Sequence, residues 1–295
     1  YLLMLMFAEG GSLALLIIGL IFKIIYLVIY WPARHVDFAK FSQKKKRGRE
    51  IGVANIIVAL VRTVSPFLGG WIIVKFGFPV AFLVSALLMI AAITPLFLSP
   101  EVYEKYSYSW SESMREIFSK KNRRTTVAFF FEGMEYMLGI FLFPIFIFTV
   151  IPNLDTIGSI TSISLLFVLA LTYFIGWATD KKGPHKVLTF ASAVHALSWL
   201  INAYIVTPFQ FVLYSTLFRL GEVANHLPFT TAFYHEAKKR NHGIDEYVVF
   251  HELAHNFGRA AMAVIVIIGF YLGVESFLFY FAFGAVGAFL FRLMR

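Results

Sequence analysis

The stretch FHELAHNFGR at residues 250–259 carries a His-Glu-x-x-His pattern, a spacing that suits zinc chemistry. Residues four apart lie on the same face of a helix, so His251 and His255 would hold the metal ion together. Glu252 would then act as the general base of a metalloprotease. Glu275, 20 residues beyond His255, is the candidate third ligand. This segment therefore raises the question of whether the protein is an enzyme.

The geometry of one continuous helix argues against that zinc site. The residues between His255 and Glu275 are apolar from Ala260 onward, which predicts an unbroken helix. A rise of 1.5 Å per residue separates His255 from Glu275 by about 30 Å, whereas zinc ligands lie about 2 Å from one ion. We therefore expect no metal at His251, His255 and Glu275, no cofactor and no enzyme. An intramembrane zinc metalloprotease is kept as the alternative from another functional class.

The elements that position these residues are long apolar segments. The chain has 295 residues, of which 59% are hydrophobic and 15% charged, against about 45–50% and about 25% in soluble proteins. About 20 apolar residues in a helix cross a bilayer, so we predict an all-α polytopic membrane protein. The absence of cysteine excludes disulfides and thiolate metal sites. The apolar bands lie at 12–31, 51–74, 80–99, 127–150, 157–178, 187–204, 209–228, 247–271 and 276–293, with a short one at 1–8.

The basic residues fall on alternate connections between these bands. This asymmetry is typical of cytoplasmic loops, and it predicts a multi-pass protein of the cell or inner membrane with its C-terminus in the cytoplasm. The basic residues are not interleaved with aromatic residues on one folded face, so we expect no nucleic-acid partner. Of the 26 Lys and Arg, 21 lie in 33–49, 105–124, 181–186 and 238–240 and at Arg292 and Arg295.

An internal repeat appears when the chain is shifted by 196 residues against itself. The pattern predicts two homologous halves, 1–100 and 127–295, joined by a cytoplasmic linker at 101–126, with a substrate site between the halves. The first half would lack about 70 residues at its start, or two spans and part of a third, relative to the second. The matching pairs are Pro32 and Pro228, Phe38 and Tyr234, Lys44 and Arg240, Glu50 and Glu246, Gly77 and Gly273, and Lys23 and Arg219.

The linker contains a possible helix start. Ser113-x-x-Glu116 matches a capping box, which favours a short amphipathic helix on the cytoplasmic face over an unstructured connection.

The segment GWATDKKGPHK at 176–186 resembles the loop signature of the major facilitator superfamily, with Gly176, Asp180, Lys181 and Gly183 in place. Locally, Gly176 allows a close helix contact, Asp180 can cap or pair across the loop, and Gly183 permits a tight turn. The resemblance implies a transporter of two six-span halves, in which this loop closes the cytoplasmic side and acts as a conformational switch.

A second segment, GVANIIVALVRTVSPFLGG at 52–70, is similar to the antiporter motif of that family. Gly52, Pro66, Gly69 and Gly70 match, and two other glycines of the motif are replaced. In the family the full motif accompanies proton-coupled export. The alternative is an ordinary kinked helix contact without a functional role.

Ionisable residues inside apolar bands are expensive and commonly functional. We expect Glu132 to be the acid linked to proton or substrate binding, and Arg219 to bind an anion or gate the cavity. The alternative is permanent ion pairing that only fixes helix packing, which is also the role expected for Arg62 and Arg259. The full set of candidate substrate and coupling residues is Lys23, Glu132, Glu135, Arg219, Glu222 and His226.

Together these features predict a secondary active transporter that moves a small solute by alternating access, with proton-coupled efflux or antiport as the favoured form. An energy-independent uniporter is the alternative within transport, and a receptor or scaffold without transport is a further one. The expected partners are the solute, protons and the lipid bilayer, and the expected state is a monomer.

Overall fold

The computed structural model describes residues 13–98, 106–151, 154–239 and 243–294, and within these ranges the regular structure is entirely helical. A π-helical turn covers Leu138–Leu142, and a 3₁₀ turn covers Phe291–Leu293. The helices are α1 (Leu13–Phe41), α2 (Arg47–Leu98), α3 (Trp110–Phe118), α4 (Arg123–Met137), α5 (Phe143–Val150), α6 (Leu154–Lys182), α7 (Pro184–Asn202), α8 (Pro208–Lys239), α9 (Ile244–Tyr271) and α10 (Phe277–Leu290).

Several of these helices have the length and composition of membrane spans. In the described residues, three helical segments are long and apolar enough to cross a membrane: Leu13–Phe41, Arg123–Val150 and Ile244–Tyr271. Two shorter apolar helices cover Pro79–Pro95 and Phe277–Leu293. An all-helical fold satisfies every backbone hydrogen bond within each span, as a bilayer requires. The predicted fold class, an all-α membrane protein, is confirmed.

The chain divides into two compact units. The first contains Tyr1–Asp37 and Leu60–Lys105, and the second contains Phe38–Ala59 and Tyr106–Arg295. In the first unit, α2 breaks at Gly77, where the backbone adopts φ +82° and two helices meet. That conformation strains residues with a Cβ atom, so glycine is required there. Gly273, the residue 196 positions later, also has a positive φ, of +75°.

The second unit has an aromatic core between its helices. α7 packs against α8 and α10, and α4 packs against α9 and α10. Trp199 is fully buried, and its ring meets those of Phe218 and Phe281 at centroid distances of 4.8 and 5.3 Å. Gly284 of α10 lies against this indole, because an added Cβ would come 2.7 Å from the ring. Aromatic pairs of this kind stabilise the packing of α7 against α8 and α10.

The π-helical turn between α4 and α5 has a local cause. Pro144 sits in the first turn of α5 and has no amide hydrogen, so it cannot bond to the carbonyl four residues earlier. The chain widens over Leu138–Leu142 instead, and Phe143 donates to the Leu138 carbonyl oxygen. Such turns are frequent near functional sites, and this one begins three residues after Glu135.

Helix α3 forms in the predicted linker, but the predicted cap was wrong. The capping box is Ser109 and Glu112: Glu112 N donates to Ser109 Oγ, and Ser109 N donates to Glu112 Oε2 at 2.6 Å. Hydrogen bonds from Ser109 lower the pKa of Glu112, and the bond from the Ser109 backbone has the largest effect. Ser113 is buried in the helix and donates to the Ser109 carbonyl, while Glu116 accepts from Asn122. Two overlapping Ser-x-x-Glu matches made the register ambiguous.

Candidate functional site

Glu132 of α4 lies between the two histidines of the HELAH segment on α9. His251 Nε2 donates to Glu132 Oε2 at 2.9 Å, and His255 Nδ1 lies 3.5 Å from the same oxygen. The side chains of Glu132, His251 and His255 are only 12%, 8% and 13% exposed. The structure thus brings the predicted acid together with two histidines for which the sequence suggested no partner on another helix.

Two glycines allow α4 and α9 to approach this closely. A Cβ atom on Gly133 would lie 1.9 Å from the carbonyl oxygen of His255, and one on Gly258 would lie 1.8 Å from that of Phe130. Both obstacles are backbone atoms, which cannot swing aside. Small residues are the usual means of close helix packing in membranes. This contact places Glu132, the neighbour of Gly133, beside the histidines.

Glu135, one turn along α4, forms a second and more deeply buried cluster. Its Oε1 accepts hydrogen bonds from His195 Nε2 and Trp199 Nε1, both at 3.1 Å, and its Oε2 accepts one from His226 Nε2 at 3.1 Å. Glu135 is 3% exposed, and His195 and Trp199 are fully buried. Three donors satisfy this carboxylate, as a buried charge requires. The cluster ties α4 to α7 and α8.

A polar face on α7 continues from this cluster. Ser192 Oγ donates to Asn225 Oδ1 at 2.8 Å, and Asn225 Nδ2 donates to the Ala288 carbonyl at 3.0 Å. This face was not predicted from the sequence. Its signal was the spacing of polar residues along an otherwise apolar helix, at 192, 195, 198 and 202.

The two predicted acidic residues of α4 contact different helices. Glu132 and Glu135 are three residues apart, but Glu132 hydrogen-bonds to α9 and Glu135 to α7 and α8. His226 reaches Glu135, while Glu222 on the same helix is partly buried. Arg219 Nε is buried and lacks a hydrogen-bond partner in the part of the chain that the structure describes. Lys23 lies in α1, and its side chain is outside that part.

The loop signature forms a cap on the first turn of α2. Asp180 Oδ1 accepts from Gly48 N at 2.7 Å, and Oδ2 accepts from Arg49 N and Arg49 Nε, both at 3.1 Å. A carboxylate in this position neutralises free amides and the positive end of the helix. Gly176 is required here, because its Cβ would lie 2.7 Å from the Gly48 carbonyl oxygen.

The remaining signature residues lie at the end of α6. Gly183 adopts φ +85° at the turn into α7, a conformation that favours glycine. Lys181 Nζ lies 4.7 Å from the centre of the Trp177 ring, a distance typical of a cation–π contact.

The antiporter-like motif lies along α2. Gly52 is buried against α6, where an added Cβ would be 3.4 Å from the Thr172 carbonyl oxygen, an ordinary contact distance. Gly69 has open space around it. Pro66 and Gly70 lie within α2, as does Arg62, but their surroundings are outside the described residues. Gly52 thus lies at the contact of α2 with α6, where a Cβ atom would also fit.

The continuous helix α9 separates His251 and His255 from Glu275. α9 continues from Ile244 to Tyr271, and Glu275 follows it as an exposed residue. Arg259 lies 5.3 Å from the ring centre of Tyr136 and donates to Asn256 Oδ1 at 3.2 Å. The carboxylate nearest to His251 and His255 on a neighbouring helix is therefore Glu132, from a helix 119 residues earlier in the chain.

Comparison with known proteins agrees with the loop signature. The model of the Major Facilitator Superfamily matches residues 1–244. A protein of Bacillus subtilis (strain 168) described as "Uncharacterized protein YqgE" is 23% identical over 270 residues, which are 88% of this chain and 62% of that protein. The chain thus spans less than two thirds of the length of this relative.

Proposed function

The chain belongs to the major facilitator superfamily, a family of membrane transporters, and we propose that it is a secondary active transporter that exchanges a small solute for protons by alternating access. Membership of this family supports a membrane-embedded carrier of small molecules. The proposed halves are 1–100 and 127–295, joined through 101–126, with the basic loops and the C-terminus in the cytoplasm of a monomer in the cell membrane.

The observation that carries the coupling proposal is the shared position of Glu132, His251 and His255. A carboxylate beside two imidazoles offers several positions for a proton inside a span, where ionisable groups are commonly functional. Each proton that enters or leaves changes the charge at the contact between α4 and α9. A change in charge shifts the balance between two packings of these helices, which is the physical basis of coupling.

Glu135 and His226 form the deeper part of the proposed coupling network. Their cluster transmits a shift of α4 to α7 and α8, because Glu135 holds donors from both helices. Glu222 lies about one turn and Arg219 about two turns away from His226 on α8. Arg219, whose Nε is buried, binds an anionic solute or gates the cavity.

The loop around Asp180 is the proposed conformational switch. Gly48 belongs to the first proposed half and Asp180 to the second, so their hydrogen bond closes the cytoplasmic side. Opening of that side breaks the bonds to Gly48 and Arg49. Gly176, Lys181 and Gly183 shape this loop, and Gly52, Pro66, Gly69 and Gly70 shape the helix that it caps.

Reconstitution into liposomes tests the coupling. A pH-sensitive dye inside the vesicles reports whether any of a panel of organic cations, organic anions and metal salts dissipates an imposed pH gradient. We expect one class to do so through the native chain and not through Glu132→Gln, whereas Glu275→Gln, a matched change at an exposed carboxylate, keeps the exchange. Equal exchange by Glu132→Gln contradicts the coupling role. Solute movement without proton movement supports a uniporter.

A further inference from the structure

We propose that Glu132, His251 and His255 form a binding site for a divalent first-row transition-metal ion, with zinc as its representative. The sequence pattern alone required Glu275 as the third ligand, and a continuous helix makes that impossible. The fold supplies a different carboxylate from α4, a ligand that no spacing along α9 reveals.

The chemistry of the three side chains selects the class of ion. Imidazole nitrogen suits zinc, copper, iron and nickel, while magnesium and calcium prefer sites made of oxygen atoms. Two imidazoles and one carboxylate form a common zinc ligand set, with a fourth position left for water or another ligand.

The distances between ligand atoms fit one ion. Two atoms that each lie about 2.1 Å from a zinc ion are about 3.0–3.4 Å apart at tetrahedral or octahedral angles. Glu132 Oε2 is 2.9 Å from His251 Nε2 and 3.5 Å from His255 Nδ1. Ligand atoms of all three residues lie within 4.8 Å of one another. Small rotations of the side chains are therefore sufficient to form the site.

A second observation identifies the missing partner. His255 Nδ1 is buried and has no hydrogen-bond partner within the described ranges, and it faces Glu132. A buried polar nitrogen without a partner is costly. A metal ion bound to Nδ1 would satisfy it, and would also replace the proton between His251 and Glu132.

The backbone around the site is closely packed. The carbonyl of His255 meets Gly133, the residue next to Glu132, so two of the ligands are attached directly to the closest contact of α4 with α9. A fixed scaffold lowers the cost of arranging ligands around an ion. Gly133 is a positioning residue for this site.

The neighbouring cluster of Glu135, His195 and His226 has the same residue types but a different character. Trp199 donates to Glu135 Oε1 and cannot ligate a metal. That carboxylate already accepts three hydrogen bonds and is less exposed than Glu132. The cluster around Glu135 is thus a polar contact whose acceptors are already occupied, whereas the cluster around Glu132 keeps ligand atoms available for a metal ion.

Glu132 belongs both to the proposed metal site and to the proposed coupling site. A role of the metal in transport rests on the proposed function, whereas metal binding itself can be measured independently of transport. The tag-free, detergent-solubilised full chain is stripped with chelator, equilibrated with zinc chloride, desalted and analysed for metal. We expect about one zinc per chain, and at least about a tenfold loss of affinity in His255→Ala and in Glu132→Gln. Glu275→Gln and His185→Ala, changes at exposed residues, keep the native value, and excess magnesium or calcium does not compete.

Cobalt provides a test that needs no variant. We expect the visible absorption of cobalt bound to the native chain to indicate nitrogen and oxygen ligands, and we expect added zinc to displace the cobalt and remove this absorption. The site is overturned if the native chain binds no zinc, if all four variants bind equal amounts of zinc, or if zinc is lost only in His226→Ala. If the native chain binds zinc but Glu132→Gln still exchanges protons, only the coupling role is contradicted. If the native chain exchanges protons but does not bind zinc, only the metal site is contradicted.

Discussion

The Cα atom of Gly133 faces the backbone carbonyl of His255 so closely that a single added methyl group would lie 1.9 Å from that oxygen. The contact fixes the distance between α4 and α9 at the level of Glu132. The candidate site therefore depends on a residue that has no side chain.

Gly133→Ala is expected to destabilise the protein and to separate Glu132 from the two histidines. The obstacle is backbone, so relief requires a shift of the whole helix, and overpacking of this kind costs about 1–3 kcal/mol or more. The thermal unfolding temperature in detergent measures the effect. Gly139→Ala is the matched control in the same span, because its Cβ would meet no atom within 4 Å. Equal stability of the two variants would refute the close-contact account.

Asp180→Asn is expected to loosen the first turn of α2. The substitution removes the charge that accepts from the Gly48 and Arg49 amides, and hydrogen bonds to charged groups contribute about 1.5–3 kcal/mol. Hydrogen exchange of these amides should become at least about tenfold faster. Asp37→Asn, at an exposed aspartate, should leave the exchange unchanged. Unaltered protection in Asp180→Asn would show that another group caps the helix.

Trp199→Phe tests the saturated cluster around Glu135. Phenylalanine keeps most of the ring packing but removes the indole donor and leaves a void, so we expect a loss of about 1–3 kcal/mol. The unfolding temperature of the variant in detergent should fall by several degrees. Trp110→Phe, at a residue that is 70% exposed, should have almost no effect. A similar small effect at Trp199 would mean that its bond to Glu135 does not contribute.

Helix α3 should lose protection from hydrogen exchange in acid. Hydrogen bonds from Ser109 lower the pKa of Glu112 in the folded helix, so the cap stabilises the helix above the ordinary glutamate value of about 4.3. That stabilisation is lost as the pH falls through the lowered value, because the protonated carboxyl no longer accepts both bonds. Exchange of residues 110–118, corrected for the intrinsic rate, measures the change. Glu112→Gln should show no such acid transition, and an identical transition in this variant would exclude the cap as its cause.

The sequence predicted those features that depend on local chemistry. Apolar length predicted the helices, and the residue types at Gly183 and Asp180 predicted a tight turn and a helix cap, which are the conformations that the structure describes. The family resemblance rested on the same loop, and the family is confirmed.

The sequence did not predict which helices meet at the acidic residues. Glu132 and His251 are 119 residues apart, and Glu135 and His195 are 60 apart. Hydropathy gives the length of an apolar helix but not its rotation when every face is apolar. The glycine at 133 and the polar spacing along α7 carried part of that information, and only the packing in three dimensions assigns the partners.

The most direct test of alternating access uses the absence of cysteine from the chain. Spin labels at Lys45→Cys and Lys182→Cys, both exposed residues, lie on either side of the contact between Asp180 and Gly48. We expect two label separations whose populations shift between about pH 5.5 and about pH 8, as protonation of the site changes, and no shift in Glu132→Gln. A single separation that does not change with pH in the native background would contradict alternating access.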